Sequence, residues 1–160
     1  MSNTPVKIIM GSQSDWPVLQ NACTPLEELK LPYQVKIVSA HRTPDRLYDF
    51  CNSAEANGTK VIIAGAGGSA HLAGMAAAMT WLPVIAVPMP SKYLNGIDSL
   101  HSMVQMPKGV AVACQAIGEA GAFNAGLMAC QMLALGDKNL RERLKVWRQA
   151  QTDRVSEDLQ

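Results

Sequence analysis

The chain has 160 residues, a net charge of +1 and 48% hydrophobic residues. That length suits one domain, which at this size buries about 70% of its unfolded surface and needs no covalent staples. The near-neutral balance gives no electrostatic basis for binding nucleic acid or an anionic membrane, and no apolar run reaches the ~20 residues of a membrane helix.

Met1-Ser2-Asn3-Thr4-Pro5 lacks the basic and apolar regions of a secretory signal. Cys23, Cys51, Cys114 and Cys130 are far apart, with no C-x-x-C. Reduced, mostly buried thiols in a cytoplasmic protein are expected.

Val6–Met10 reads as a first strand ending at Gly11-Ser12. Ser14-Asp15-Trp16-Pro17 opens a helix, with a capping residue, an acid and a proline in one turn. Its apolar residues continue to about Leu31, with Pro25 expected to kink or interrupt it. Tyr33–Ala40 is the second strand. Thr43 is the expected N-cap of the next helix, with Pro44 at its first position and Asp45 in its first turn. That helix runs to about Asn57 and stops at Gly58.

Lys60–Ala64 is the third strand. Gly65-Ala66-Gly67-Gly68-Ser69-Ala70-His71 follows, then an Ala- and Met-rich helix to about Thr80. Pro83–Val87 is the fourth strand, the loop 88–95 contains Pro90, and a short helix covers about 97–105. Gly109–Ala116 is the fifth strand. From Gly118 to about Leu135 runs a nearly all-apolar helix, buried on most sides.

Strands alternating with helices imply an α/β fold: one three-layer domain with a parallel sheet covered on both faces by right-handed crossovers. Short, continuously apolar strands agree with burial on both sides. The expected arrangement is flavodoxin-like, strand order 2-1-3-4-5. Residues 1–136 complete it. The extension 137–160 is highly charged, yet Leu140, Leu144 and Trp147 recur at helical spacing. That extra C-terminal helix must cover its own subunit or a neighbour. Abundant apolar surface, including Ala76-Ala77-Ala78-Met79, favours the neighbour.

Three loops fall at the carboxyl ends of the first three strands, the edge where open α/β sheets bind ligands. The order 2-1-3 makes those strands adjacent, so the loops should converge. In the first, Ser12, Ser14 and backbone amides at a helix start could receive a phosphate, and Asp15 could accept from sugar hydroxyls. Plain helix capping is the alternative. In the second, Ser39, His41 and Arg42 combine a hydroxyl, a proton carrier and a fixed cation. Arg42 suits a phosphate by paired hydrogen bonds, and His41 suits acid–base work near neutrality.

The third loop matches G-x-G-x-x-G/A, a dinucleotide fingerprint. It follows the third strand rather than the first, and no carboxylate stands ~20 residues on to hold a ribose. A loop of Gly67, Gly68 and Ser69 between His71 and the strand can instead wrap something small and barely polar. His71 could equally cap a helix, and His101 is expected on the surface. No Walker loop, H-E-x-x-H, nucleophile elbow or spaced metal-ligand cluster occurs, so ATP, metal and flavin lack positive support.

Gly11-Ser12-Gln13-Ser14-Asp15-Trp16, Ser39-Ala40-His41-Arg42-Thr43-Pro44 and Ala64-Gly65-Ala66-Gly67-Gly68-Ser69-Ala70-His71-Leu72 resemble the signature loops of the N5-carboxyaminoimidazole ribonucleotide mutases of bacterial purine synthesis. Asp98-Ser99-Leu100, Gln105–Val110 and Gly121–Ala125 are similar to that family too. The resemblance implies a flavodoxin-like homo-octamer without metal or cofactor, whose C-terminal helix reaches into neighbouring subunits. It implies transfer of a carboxyl group from N5 to ring C4 of an aminoimidazole ribonucleotide. His41 would be the general acid and base. Ser12, Ser14, Ser39 and Arg42 would surround the phosphate, with Asp15 on the ribose. Gly67, Gly68, Ser69, His71 and Leu72 would hold the migrating carboxyl group as trapped carbon dioxide. Pro25 and Pro90 depart from the family pattern. Arg42, where animal relatives are expected to carry Lys, favours the mutase over a carbon dioxide-dependent carboxylase of the same fold. A non-catalytic nucleotide- or flavin-binding module is the reading from another class.

Overall fold

The computed structural model describes residues 4–158; Met1–Asn3, part of the N-terminal stretch read above, lie outside them. Five parallel strands form one sheet, β1 (Val6–Met10), β2 (Tyr33–Ile37), β3 (Val61–Ala66), β4 (Val84–Pro88) and β5 (Ala113–Cys114), in the order β2-β1-β3-β4-β5. The expected order therefore holds. The helices are α1 (Trp16–Leu19), α2 (Cys23–Glu28), α3 (Pro44–Ala54), α4 (Leu72–Met79), α5 (Ile97–Val104), α6 (Glu119–Ala134) and α7 (Lys138–Asp153).

The register sets Ile8 of β1 between Val35 and Ile63, and Met10 between Ile37 and Gly65. One face of the sheet carries Ile8, Ile63, Ile85 and Val87 into a core shared with α1, α2 and α6. The other carries Ile9, Ile62, Ala64 and Ala86 against α3 and α4. Each fully buried Ile or Leu contributes about 1.5–3 kcal/mol, so the two cores fix the strand register.

The strand ends differ from the sequence expectation. β2 stops at Ile37, not Ala40, because its partner β1 stops at Met10; the Val38 amide makes one last bond to the Met10 carbonyl at 2.8 Å. β2 is also an edge strand, with Ile37 40% exposed, so burial on both sides does not extend to it. β5 is reduced to Ala113–Cys114 from the expected 109–116, with Gly109 at φ +101 before it. β3 extends through Gly65 and Ala66 into the expected glycine loop.

The first helix is broken. Residues 13–15 and 20–22 are 3₁₀ turns, with α1 and α2 as short α segments around the second. Pro25 has no N–H for the carbonyl of residue 21, and its ring crowds that carbonyl, so the chain tightens there. The interruption lets α6 approach closely: a Cβ on Gly126 would collide with the Ala22 carbonyl and the Pro25 ring. Pro25 is thus a buried packing element.

α7 begins at Asp137, whose Oδ1 accepts from the Leu140 amide at 3.0 Å. Its apolar stripe lies on its own chain. Leu140 is fully buried in the α6 core, and Leu144 and Trp147 pack at its edge. Trp147 donates to Glu28 at 2.6 Å, and Arg143 donates to the Leu29 carbonyl at 2.9 Å. We expect Leu140→Ala to destabilise the protein by about 2–5 kcal/mol in urea unfolding. A loss below ~0.5 kcal/mol would mean that α7 does not belong to this core.

All four cysteines are free. Burial pushes the Cys51 thiol up to about 11 and the Cys130 thiol up to about 12. At pH 8 about one Cys51 in 10³ is then a thiolate, and fewer for Cys130. A thiol reagent at pH 8 should leave both intact in the folded protein and modify them only after unfolding. Rapid reaction in the native state would contradict this packing.

Candidate active site

Because β2, β1 and β3 are parallel neighbours, the loops after them emerge side by side. They line one cleft of about 550 Å³. Ser12, Ser14 and Asp15 enter it from the β1 loop, and Ser39, His41 and Arg42 from the β2 loop. Gly67, Gly68, Ser69, His71 and Leu72 enter it from the β3 loop. All eleven residues singled out in the sequence therefore face a common space.

The β1 loop is closed by its own side chains. Asp15 Oδ2 accepts from the Ser12 amide at 3.1 Å, and Ser12 Oγ accepts from the Ser14 amide at 3.3 Å. The Asp15 amide donates to the Ser12 carbonyl at 3.1 Å. Capping and ligand presentation thus coexist, but most of the amides expected to be open to a phosphate are used within the loop. The hydroxyls remain: Ser14 Oγ donates to Ser12 Oγ at 3.0 Å. Burial raises the Asp15 carboxyl above its usual range, against the Ser12 amide and the Arg42 charge, which lower it.

In the β2 loop, Thr43 holds the N-cap position of α3 as expected, but its side chain makes no capping hydrogen bond. Its hydroxyl accepts from the Ser39 amide at 3.0 Å and donates to the Ser39 carbonyl at 2.9 Å, closing a turn over residues 39–43. Pro44 and Asp45 still open α3 as expected. Buried Ser39 directs its Oγ to Arg42, accepting from the backbone amide at 3.3 Å and from Nε at 3.1 Å. Arg42 Nη2 then donates to the Gly11 carbonyl at 2.6 Å, tying the second loop to the first. The guanidinium is held at two points before any ligand arrives.

The β3 loop is held from behind. The Gly68 amide donates to Ser99 Oγ at 3.0 Å, and Ser99 Oγ donates to the Met89 carbonyl at 2.7 Å. Gly68 sits at φ +68, and a Cβ on Gly67 would lie 3.3 Å from that of Met89, so glycine suits both positions. Gly65 faces Leu19 and Met89, each 2.9 Å from where its Cβ would be. The fingerprint pattern thus serves strand packing at its first glycine. His71 is the residue before α4, and its Nδ1 lies 2.8 Å from His41 Nε2, the rings meeting edge to face at 87°. One ring donates and the other accepts, so a proton placed on either imidazole has a path to the other.

A fourth loop joins the cleft through Pro90 and Ser91. Ser91 donates to Asp98 Oδ1 at 2.6 Å and accepts from the Gly96 amide at 2.9 Å. Pro90 belongs to the loop 88–95 expected from the sequence, and Ser99 to the family-like stretch Asp98-Ser99-Leu100, but Ser91 was not singled out and Ser99 was given no role. The signal was available in the topology, since β4 is the next strand beside β3. His101 is exposed on α5, away from the cleft lining. Among the described residues, no three His, Cys, Asp or Glu side chains gather where a metal ion could be held.

A family model described as AIR carboxylase matches residues 5–154. The N5-carboxyaminoimidazole ribonucleotide mutase of Escherichia coli (strain K12) is 58% identical over 153 residues, covering 96% of this chain and 90% of its own. Its namesake from Brucella melitensis is 60% identical, covering 95% and 94%. That of Bacillus subtilis is 59% identical, covering 87% and 86%. In three dimensions, Treponema denticola PurE superposes with a TM-score of 0.84 at 28% identity, covering 94% of this chain and 92% of its own. With its strand order, its cleft and a family match over nearly its whole length, the chain belongs to the AIR carboxylase family.

Proposed function

We propose that the protein is an isomerase of purine biosynthesis, converting N5-carboxyaminoimidazole ribonucleotide into 4-carboxyaminoimidazole ribonucleotide. The names of the E. coli, Brucella and Bacillus relatives support the substrate. The convergence of Arg42, His41 and the glycine loop on one cleft carries the mechanism. Arg42 and the Ser12 and Ser14 hydroxyls would hold the phosphate, with Ser39 orienting Arg42. Asp15 would accept from the ribose hydroxyls.

In this reading His41, protonated, gives its proton to N5 as the carbamate C–N bond breaks and carbon dioxide leaves. The freed ring carbon C4 attacks that carbon dioxide. Neutral His41 then removes the proton from C4, and the rings and the proton return to their starting state. Gly67, Gly68, Ser69 and Leu72 close around the small neutral intermediate, with His71 beside His41. Few side chains compete for it there, and excluding water keeps it from diffusing away. The phosphate anchor turns remote binding into positioning at the ring.

The description of the matching family model favours a second reading, direct carboxylation of aminoimidazole ribonucleotide by dissolved carbon dioxide. Turnover of carboxyl-labelled substrate in unlabelled bicarbonate separates the two. A mutase keeps the label in its product, whereas a carboxylase dilutes it with the medium.

A homo-octamer in the cytoplasm is part of the proposal. Trp81, 74% exposed, and Leu94, Ile97 and Val104 offer apolar surface for subunit contacts. Val146, on the outer face of α7, suits a contact with a neighbour. Sedimentation should give eight chains per particle.

His41→Asn should lower kcat by about 10²–10⁴-fold while leaving the circular dichroism unchanged. Near-normal turnover would remove His41 from the chemistry. Arg42→Lys keeps the charge but loses the fork, and should raise KM roughly 10- to 100-fold with a smaller change in kcat.

A further inference from the structure

A second cavity, of about 150 Å³, opens on the α3 face near the amino ends of the strands. At its base is Lys7, the one charged residue of β1 and only 5% exposed. Its Nζ donates to Gln34 Oε1 at 2.6 Å, directly across the β1–β2 pair. No carboxylate answers it: among the described residues, the ion pair found is Lys145–Glu142. Lys36, two residues along β2 on the same face, brings a second cation to the cavity. Burial first, and then Lys36, push the Lys7 ammonium below the usual lysine range.

The other walls carry no carboxylate either. Thr59 is 3% exposed, and its Oγ1 has no hydrogen-bond partner. Asn57 lines the same space. The last carbonyls of α3 each already accept one amide. The Ser53 carbonyl takes the Asn57 amide, Ala54 takes that of Thr59, and Glu55 takes that of Gly58. A buried ammonium without a counter-charge and a buried hydroxyl without a partner are both costly. An anionic acceptor in the cavity removes the first of these costs.

We infer that this cavity binds a small oxyanion, the phosphate ion or the head of a compact phosphomonoester, held by Lys7 and Lys36. Two cations without a carboxylate partner suit a charged oxyanion, and the volume excludes a nucleoside. The site is separate from the substrate cleft, sharing no residue with it.

The test is thermal melting of the full chain in inorganic phosphate, in ribose 5-phosphate, or in chloride of equal ionic strength. A ligand that binds only the folded state raises the melting temperature. Phosphate should raise it by several degrees in Arg42→Leu, where the cleft no longer grips an anion. The shift should disappear when Lys7→Met is added to that variant, and shrink when Lys36→Met is added. Lys7→Met alone should keep wild-type turnover. An equal effect of ribose 5-phosphate would assign the site to phosphomonoesters as well as the free ion; a smaller one would assign it to the ion. Loss of the whole shift in Arg42→Leu would place the only phosphate in the cleft and overturn the inference. So would an undiminished shift when Lys7→Met is added.

Discussion

The structure depends on the parallel pairing of β1 with β2 on one side and β3 on the other. Parallel strands end on the same edge, so three loops far apart in sequence are brought together by one set of ladder bonds. Register matters as much as order. Moving β2 by one residue would turn Val35 from the α6 side to the α3 side and reverse every side chain along the strand. The burial of Ile8, Ile9, Ile62 and Ile63 therefore fixes the place of His41 and Arg42 as firmly as any contact inside the cleft.

On that frame, the cleft is organised before a ligand enters. Ser39 uses its hydroxyl on Arg42, and Arg42 uses one nitrogen on the Gly11 carbonyl. Ser99 reaches from α5 to hold Gly68. These bonds leave the guanidinium with few orientations to lose on binding, which is where a flexible arginine would otherwise weaken an anion site. They also divide labour. Ser39, Thr43 and Ser99 act on the backbone and on Arg42, whereas Ser14, His41 and Ser69 are exposed toward the space a substrate would fill.

The sequence was most legible where a residue has one physical use. Apolar runs became strands, Pro44 opened α3, and Gly58, at φ +75, closed the turn that follows it. It was least legible where a residue has two. Thr43 could cap a helix or brace a turn, and the turn won because both the amide and the carbonyl of Ser39 were within its reach. Pro25 was readable as an interruption, but not as the reason α6 can sit so close. That depends on Gly126, a hundred residues away. Ser91 carries no local pattern, and the stretch Asp98-Ser99-Leu100 gives Ser99 no role by itself; both roles follow from β4 lying beside β3.

Lys7 shows the same logic from the other side. A charged residue inside a strand buried on both faces contradicts the pattern around it, and such a contradiction needs a compensating partner. Gln34 supplies a neutral acceptor and nothing more. Where Arg42 meets a carbonyl at one nitrogen and keeps its charge toward an open cleft, Lys7 is enclosed with a second cation close by. The two cations sit toward opposite ends of the strands, and each is held by neutral acceptors, Arg42 by the Gly11 carbonyl and the Ser39 hydroxyl, Lys7 by Gln34. One arrangement fits a substrate that must come and go; the other fits an anion that stays.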